Sequence, residues 1–211
     1  DSKTHVSTMS SGDFCSNEKS VTLTEASVGN GRIEFVAADG SVTVLKADHP
    51  LEDGDVIDST KMSAKALRSF LEDEIKDAKD QGVLFSLHVK ATMMKISDPI
   101  IFGHAVAAYL KDVFEKYADT FTELGVDPDF GIGDLLLKID TLPADQKAAI
   151  EADIDACMEA QPDLYMVNSD RGISNLHVSS DVIIDASLPA LIRAGGKAWG
   201  PDGKENDTKC V

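Results

Sequence analysis

The sequence predicts an α/β fold, a mixed sheet with flanking helices and an N-terminal β-hairpin, and three observations carry that expectation. Short apolar, β-rich runs near 33–37, 42–46, 83–89, 164–168 and 182–184 alternate with longer stretches of helical periodicity. Residues 32–46, RIEFVAADGSVTVLK, alternate apolar and polar on both sides of Asp39-Gly40, a pair suited to the positive φ angles of a tight turn. Pro99 and Pro189 each stand just behind a capping residue, where a helix start tolerates a missing N–H.

In chain order, the hairpin comes first and reads as the antiparallel portion of the sheet. Residues 63–81 follow as an amphipathic helix: Leu67, Phe70, Leu71, Ile75 and Ala78 recur at three-to-four spacing, and Gly82 stops it. The run VLFSLHV at 83–89 reads as a strand buried on both faces and delivers Lys90 at its end. Asp98-Pro99 then reads as an N-cap and first turn, opening a helix over 99–117 that buries Ile101, Ala105, Ala108 and Leu110. Helices follow at 134–139 and 143–160, the second burying Ile150, Ile154, Cys157 and Met158. Asp185 closes the last apolar run, and Ser187 caps the next helix. Trp199, beside the turn of WGPDGK, is expected to anchor it by packing. No repeat, low-complexity tract or linker interrupts residues 1–211, which read as one body.

Composition narrows the function. A chain of 211 residues with 43% hydrophobic content is ordinary for a globular protein, and no apolar run is long enough for a transmembrane helix. The net charge of −17 argues against nucleic-acid phosphates as partners. Cys15, Cys157 and Cys210 make an odd count without metal-ligand spacing, which fits a reducing, cytoplasmic setting. There is no G-x-G-x-x-G and no P-loop; Gly29, Gly31, Gly195 and Gly196 read as turn and helix-end glycines. His88 and His104 sit in apolar segments as structural residues, and no histidine pair has zinc spacing.

Two residues stand where chemistry is done. A lysine at the junction of a buried strand and a helix is partly desolvated, and desolvation favours its neutral form, so Lys90 is a candidate proton carrier; the alternative is a lysine that only reaches out to solvent. Asp185 lies at a strand's carboxyl end, where open α/β sheets hold their ligands; the alternative is a second N-cap.

The long segments HVSTMSSGDF, NEKSVTL, VIDSTKMSAKALRSFLEDEIKDAKDQGVLFSLHVKATMMKISDPIIFGH, MVNSDRGISNLHVSSDVIIDAS and WGPDGKENDTK resemble the bacterial monomeric-type NADP-dependent isocitrate dehydrogenases. The likeness runs along the whole chain, and departures are confined to surface-like stretches at 24–32, 48–53 and 127–130. The resemblance implies an isocitrate dehydrogenase-like large domain and oxidative decarboxylation of isocitrate to 2-oxoglutarate with NADP and magnesium or manganese. It matches the family's catalytic lysine to Lys90, with Lys95 the rival, and a metal-ligating aspartate to Asp185. Enzymes of that family are much longer, so the chain is expected to be an interior piece of the large domain. Their substrate-gripping residues, tyrosine proton partner and NADP-binding residues would lie elsewhere. Such a piece is expected to be inactive alone and to pair as a homodimer. The other function class open to the sequence is a stand-alone acidic binding or scaffolding module of the same fold.

Overall fold

The computed structural model describes residues 2–179 and 187–211. It forms two compact units, one of residues 11–62 and one combining the residues up to Ser10 with Ser63–Val211. The architecture is mixed α/β with several small sheets and flanking helices, as the sequence predicts. The apolar run at 182–184 and Asp185 lie outside the described residues.

After the short strand β1 (His5–Val6), the 11–62 unit contains α1 (Phe14–Asn17), β2 (Lys19–Thr22), β3 (Gly29–Val36), β4 (Val42–Leu51) and β5 (Val56–Ser59). Strand β3 pairs antiparallel with β4, and β2 with β5, as two separate two-stranded sheets. The expected hairpin is therefore present but is not part of the main sheet. Its turn is also longer than the two-residue form: Gly40 N–H donates to Ala37 O at 3.0 Å and Ala37 N–H to Ser41 O at 2.9 Å. Only Gly40 takes a positive φ, of 84°. Asp39 instead uses its carboxylate, accepting from Ser41 N–H at 2.9 Å and from the Ser41 hydroxyl at 2.7 Å. Both faces of this unit carry apolar side chains in the open, among them Phe35, Val36, Val42, Leu45 and Val56, while Leu23 is its one buried residue among those described.

The larger unit continues with α2 (Ala64–Gln81), β6 (Leu84–Ser86), α3 (Ser97–Tyr109), α4 (Lys111–Lys116) and α5 (Ala118–Leu124). Helix α2 follows the sequence pattern closely. Ser63 accepts from Ala66 N–H, Leu67, Leu71, Ile75 and Ala78 are buried, and Gly82 ends the helix at φ 66°, ψ 43°. The predicted 99–117 helix is broken at Leu110 (φ −103°, ψ 33°) and again ends at Tyr117, so α5 is an additional helix. The first break falls where the Tyr109 carbonyl accepts from Gln161 Nε2 at 3.2 Å and Cys157 Sγ at 3.5 Å, while its hydroxyl donates to Pro162 O at 2.7 Å. A buried tyrosine tied at both ends to the next layer competes with the regular helix ladder.

There follow α6 (Ile132–Ile139), α7 (Ala144–Ala160), β7 (Met166–Asn168), β8 (Ile173–Ser174), α8 (Leu188–Arg193), β9 (Lys197–Trp199) and β10 (Glu205–Cys210). Ile150 and Ile154 are buried on α7 as expected, whereas Cys157 and Met158 are only half-buried. Ser187 caps α8 by accepting from Ala190 N–H at 3.3 Å, which matches the sequence reading. Trp199 keeps half of its surface in solvent. Gly131 (φ 91°) admits no side chain, since a Cβ there would lie 2.3 Å from the His177 carbonyl oxygen.

The main sheet is built around β10, which pairs in parallel with β1 and β6 and antiparallel with β9. The sheet is thus mixed, but β9 rather than the hairpin supplies the antiparallel part. Cys210 and Leu84 pack with Tyr165, Leu191, Ala198 and Leu188, so α8 covers that face. On the opposite face Lys209, in register with Phe85, meets α2 through Glu74 and Asp77. Lys209 is only 3% exposed. Desolvation works against its charge, yet the hydrogen bonds to Asp77 and Glu74 outweigh it and hold the ammonium above its usual 10.5. The same bond is the main cause holding the Asp77 carboxyl below 3.8.

These shifts fix a pH window. The depressed Asp77 stabilises the fold above pH 3.8, and that contribution is lost as pH falls through its folded value. The raised Lys209 stabilises it below pH 10.5, and that contribution is lost as pH rises through its folded value. The stability this pair supplies, read as the difference in melting temperature between the protein and Lys209→Met, should therefore be flat between roughly pH 4 and 10. Lys209→Met should lower the midpoint at pH 7 by roughly 6–12 °C and flatten both limbs. A variant that melts like the wild type would show that the buried pair contributes no net stability.

Candidate functional site

The segment around Lys90 begins in a strand buried along its whole length. Leu84, Phe85 and Ser86 are all buried, and β6 runs parallel to β10, so both strands end on the same edge of the sheet. Beyond Ser86 the backbone stays tied to the end of β10. Val211 N–H donates to Ser86 O at 2.9 Å, and His88 N–H donates to Val211 O at 2.8 Å. Asn175 Nδ2 donates to Leu87 O at 3.3 Å from the other side. His88 turns its ring back to the sheet, with Nε2 2.7 Å from the hydroxyl of fully buried Ser86. The chain then leaves the sheet, and Lys90 lies just past the carboxyl end of β6, where ligands gather in open α/β sheets.

Lys90 is exposed. The burial expected of it is not supplied by the described residues, because the strand ends at Ser86 and three half-buried residues separate Lys90 from the buried core. Its backbone is nonetheless held. The Lys90 carbonyl accepts from Met93 and Met94 N–H, both at 2.9 Å, and the Lys90 N–H donates to Asp98 Oδ2 at 2.6 Å. Asp98 is therefore not the N-cap of α3. The helix starts two residues earlier than expected, at Ser97, and the Asp98 carboxylate is committed to Lys90 instead. The rival Lys95 is exposed on the same stretch, together with Met93, Met94, Ile96 and Ile100.

His104 behaves as the structural residue expected of it. It is half-buried on α3, and its Nδ1 accepts from Arg68 Nε at 3.2 Å. Desolvation first, and then the Arg68 charge, hold its imidazole below the usual range despite Asp129. Sequence reasoning missed Ser86, Asn175 and Val211 as the frame of the Lys90 segment. Two of the three act through backbone groups, which leave no mark in a side-chain pattern. Only Ser86 lies near HVK in the sequence; Asn175 and Val211 left no signal.

Among the described residues, no three His, Cys, Asp or Glu side chains converge into a metal site. Asp185, the proposed metal carboxylate, lies outside those residues. The described part of the chain does not by itself assemble a divalent-cation site. An open groove of about 550 Å³ is lined by Phe130, Leu136, Leu137, His177 and Val178 among others, and by none of the residues of the Lys90 segment.

The family model described as monomeric isocitrate dehydrogenase matches residues 1–211. The chain is 58% identical over 209 residues to an isocitrate dehydrogenase [NADP] 2 of Colwellia maris, covering 99% of this chain and 28% of that one. It is 54% identical over 211 residues to the isocitrate dehydrogenase [NADP] of Azotobacter vinelandii, covering all of this chain and 28% of the relative. It is 55% identical over 210 residues to an isocitrate dehydrogenase [NADP] 2 of Mycobacterium tuberculosis, again covering 28% of that protein. The chain thus spans little more than a quarter of the length of these relatives.

Proposed function

Because the chain belongs to the monomeric isocitrate dehydrogenase family, we propose that it forms part of an enzyme that oxidatively decarboxylates isocitrate to 2-oxoglutarate and carbon dioxide with NADP. The observation that carries this reading is the family match along the entire chain, with Lys90 set just beyond the carboxyl end of a buried parallel strand. Its setting is the cytoplasm. Cys15, Cys157 and Cys210 are all free thiols, as a reducing compartment keeps them, and among the described residues no helix is long and apolar enough to cross a membrane.

In this reading Lys90 carries protons. The substrate hydroxyl must lose its proton as its carbon gives up hydride, and a lysine amine placed against that oxygen can take it. When carbon dioxide departs, the electrons of the broken carbon–carbon bond pass to the ketone oxygen as an enolate, and a proton is then delivered back to carbon. The cofactors supply the hydride acceptor and a divalent charge, magnesium or manganese. Asp185 offers one carboxylate of the type such hard cations prefer. The exposed Lys90 and its apolar neighbours Met93, Met94 and Ile96 support a site completed by further segments of the protein, which would exclude water from this edge.

Lys90→Met in the full-length enzyme should cut turnover on the order of 100-fold or more, with much less effect on isocitrate affinity. Steady-state kinetics decide this, and near-normal turnover would shift the role to Lys95 or another group. Asp185→Asn should raise the magnesium or manganese concentration needed for half-maximal activity while leaving the melting temperature nearly unchanged. A large loss of stability at unchanged metal dependence would instead make Asp185 a helix cap.

The 211-residue chain by itself should also pair as a homodimer. The apolar strands of the 11–62 unit are exposed on both faces, and two-stranded sheets with apolar surface are marginal in water until something covers them. A symmetric dimer is the simplest cover. The charge of −17 opposes it at low salt, so association should strengthen as salt screens that repulsion. Sedimentation of the purified chain across a salt series tests this; a monomer throughout would show that these strands tolerate solvent.

A further inference from the structure

The backbone around Lys90 forms a closed circuit of hydrogen bonds. Lys90 O accepts from Met94 N–H at 2.9 Å, Met94 O accepts from Asp98 N–H at 3.1 Å, and Asp98 Oδ2 accepts from Lys90 N–H at 2.6 Å. Nine residues separate the two ends of this ring in sequence, counting both, and none of the intervening stretch up to Ile96 belongs to a strand or helix. Without the side-chain link, the segment would be free to leave the sheet edge along many paths. With it, Lys90, four positions past the end of a buried strand, is tied to the first turn of a buried helix.

The tie is well anchored at both ends. Helix α3 buries Phe102, Ala105, Val106 and Tyr109, so Asp98 is referenced to the core rather than to solvent. Asp98 stands in the first turn of α3, where the helix dipole favours a negative charge. The Ser97 hydroxyl donates to its other oxygen, Oδ1, at 3.1 Å, which fixes the carboxylate plane. The bond to Lys90 is short, as a charge-assisted N–H···O⁻ bond is. Lys90 itself is exposed on a flexible four-carbon stem, so its backbone is the part the described fold can hold.

We propose that Asp98 is a positioning residue for Lys90, its carboxylate fixing the lysine backbone so that the amine approaches the substrate hydroxyl from one defined origin. The assignment rests on the proton-carrier role of Lys90. It differs from a general stabilising role in one respect: Asp98 acts through an acceptor oxygen at one place, and what it sets is the rate of the step Lys90 performs. Misplacing a reacting group by about 1 Å is enough to slow a reaction on the order of 100-fold.

The test uses the full-length enzyme with four variants: Asp98→Ala, Asp98→Asn, Asp98→Glu and Lys90→Met, with Asp98→Ala also made in the Lys90→Met background. Asp98→Ala should lower kcat about 10- to 100-fold with the isocitrate KM within about twofold. Asp98→Asn keeps an acceptor oxygen in place and should recover most of the turnover, whereas Asp98→Glu keeps the charge but displaces the acceptor and should not. The double variant should turn over no more slowly than Lys90→Met alone, because a residue acting only through Lys90 has nothing left to position. Should Asp98→Ala fail to fold, the contrast between Asn and Glu carries the same decision. An active Asp98→Glu beside a slow Asp98→Asn would overturn the proposal in favour of a charge effect. A double variant slower than Lys90→Met by the full Asp98→Ala factor would overturn it in favour of an independent structural role. If Lys90→Met is slow and Asp98→Ala is normal, positioning by Asp98 alone is refuted. If Lys90→Met is itself near normal, the proton-carrier reading falls, and that result is obtained without touching Asp98.

Discussion

The larger unit depends on one buried cation. Strand β10 has the sequence ENDTKC, and every other strand of the main sheet that is hydrogen-bonded in register is bonded to it. A strand this polar is buried over its last three residues because its polar atoms are answered. The Thr208 hydroxyl donates to Leu84 O at 3.3 Å, and the Lys209 ammonium is held between Glu74 and Asp77 of α2. Burying an unanswered ammonium would cost several kcal/mol, of the order of the protein's whole stability. The two carboxylates therefore do more than add an ion pair: they permit this strand to occupy the middle of the sheet and fix α2 against one face of it.

That constraint reaches the candidate site through the backbone. Residues Thr208 to Cys210 lie in register with Leu84 to Ser86, and the next residue, Val211, exchanges hydrogen bonds with Ser86 and His88. The direction in which the chain departs toward Lys90 is thus set by the end of β10. Asp98 then fixes where the departing segment lands. Between them, a buried salt bridge on one face of the sheet and a capped turn at its edge define the position of a single exposed lysine.

Much of this was legible in the sequence where periodicity and burial coincide. Helix α2 follows its apolar spacing and its Gly82 stop, and the hairpin follows its alternation about Asp39-Gly40. Strand β10 was invisible for the complementary reason. Its burial rests on specific partners contributed by α2, over 130 positions earlier in the chain, and a pattern of hydrophobicity carries no record of a satisfied charge. Asp98 was misread as a cap because Asp-Pro is a strong local signal, while the Lys90 N–H that claims its carboxylate lies eight residues away. Lys90 is exposed, as the solvent-reaching alternative for it has it, because the apolar run at 83–89 outlasts its strand, which ends at Ser86.

The same electrostatics bear on how labour is divided in the proposed enzyme. With a net charge of −17, this chain repels rather than attracts a tricarboxylate at long range. Several of its cations are already spent on neighbours: Lys209 on Glu74 and Asp77, Lys197 on Asp207 at 2.6 Å, and Lys111 on Glu72 at 3.0 Å. A region with this balance is poorly suited to grip an anion and well suited to hold a proton carrier in place. Reaction rate depends on the carrier's position relative to the scissile bonds, and affinity depends on positive charge around the carboxylates. The two tasks need not share a segment. The proposed arrangement therefore assigns rate to the framed Lys90 edge and affinity to cationic groups from elsewhere in the protein. In the proposed arrangement the exposed Met93, Met94 and Ile96 are the apolar surface against which those groups would pack, excluding water around Lys90.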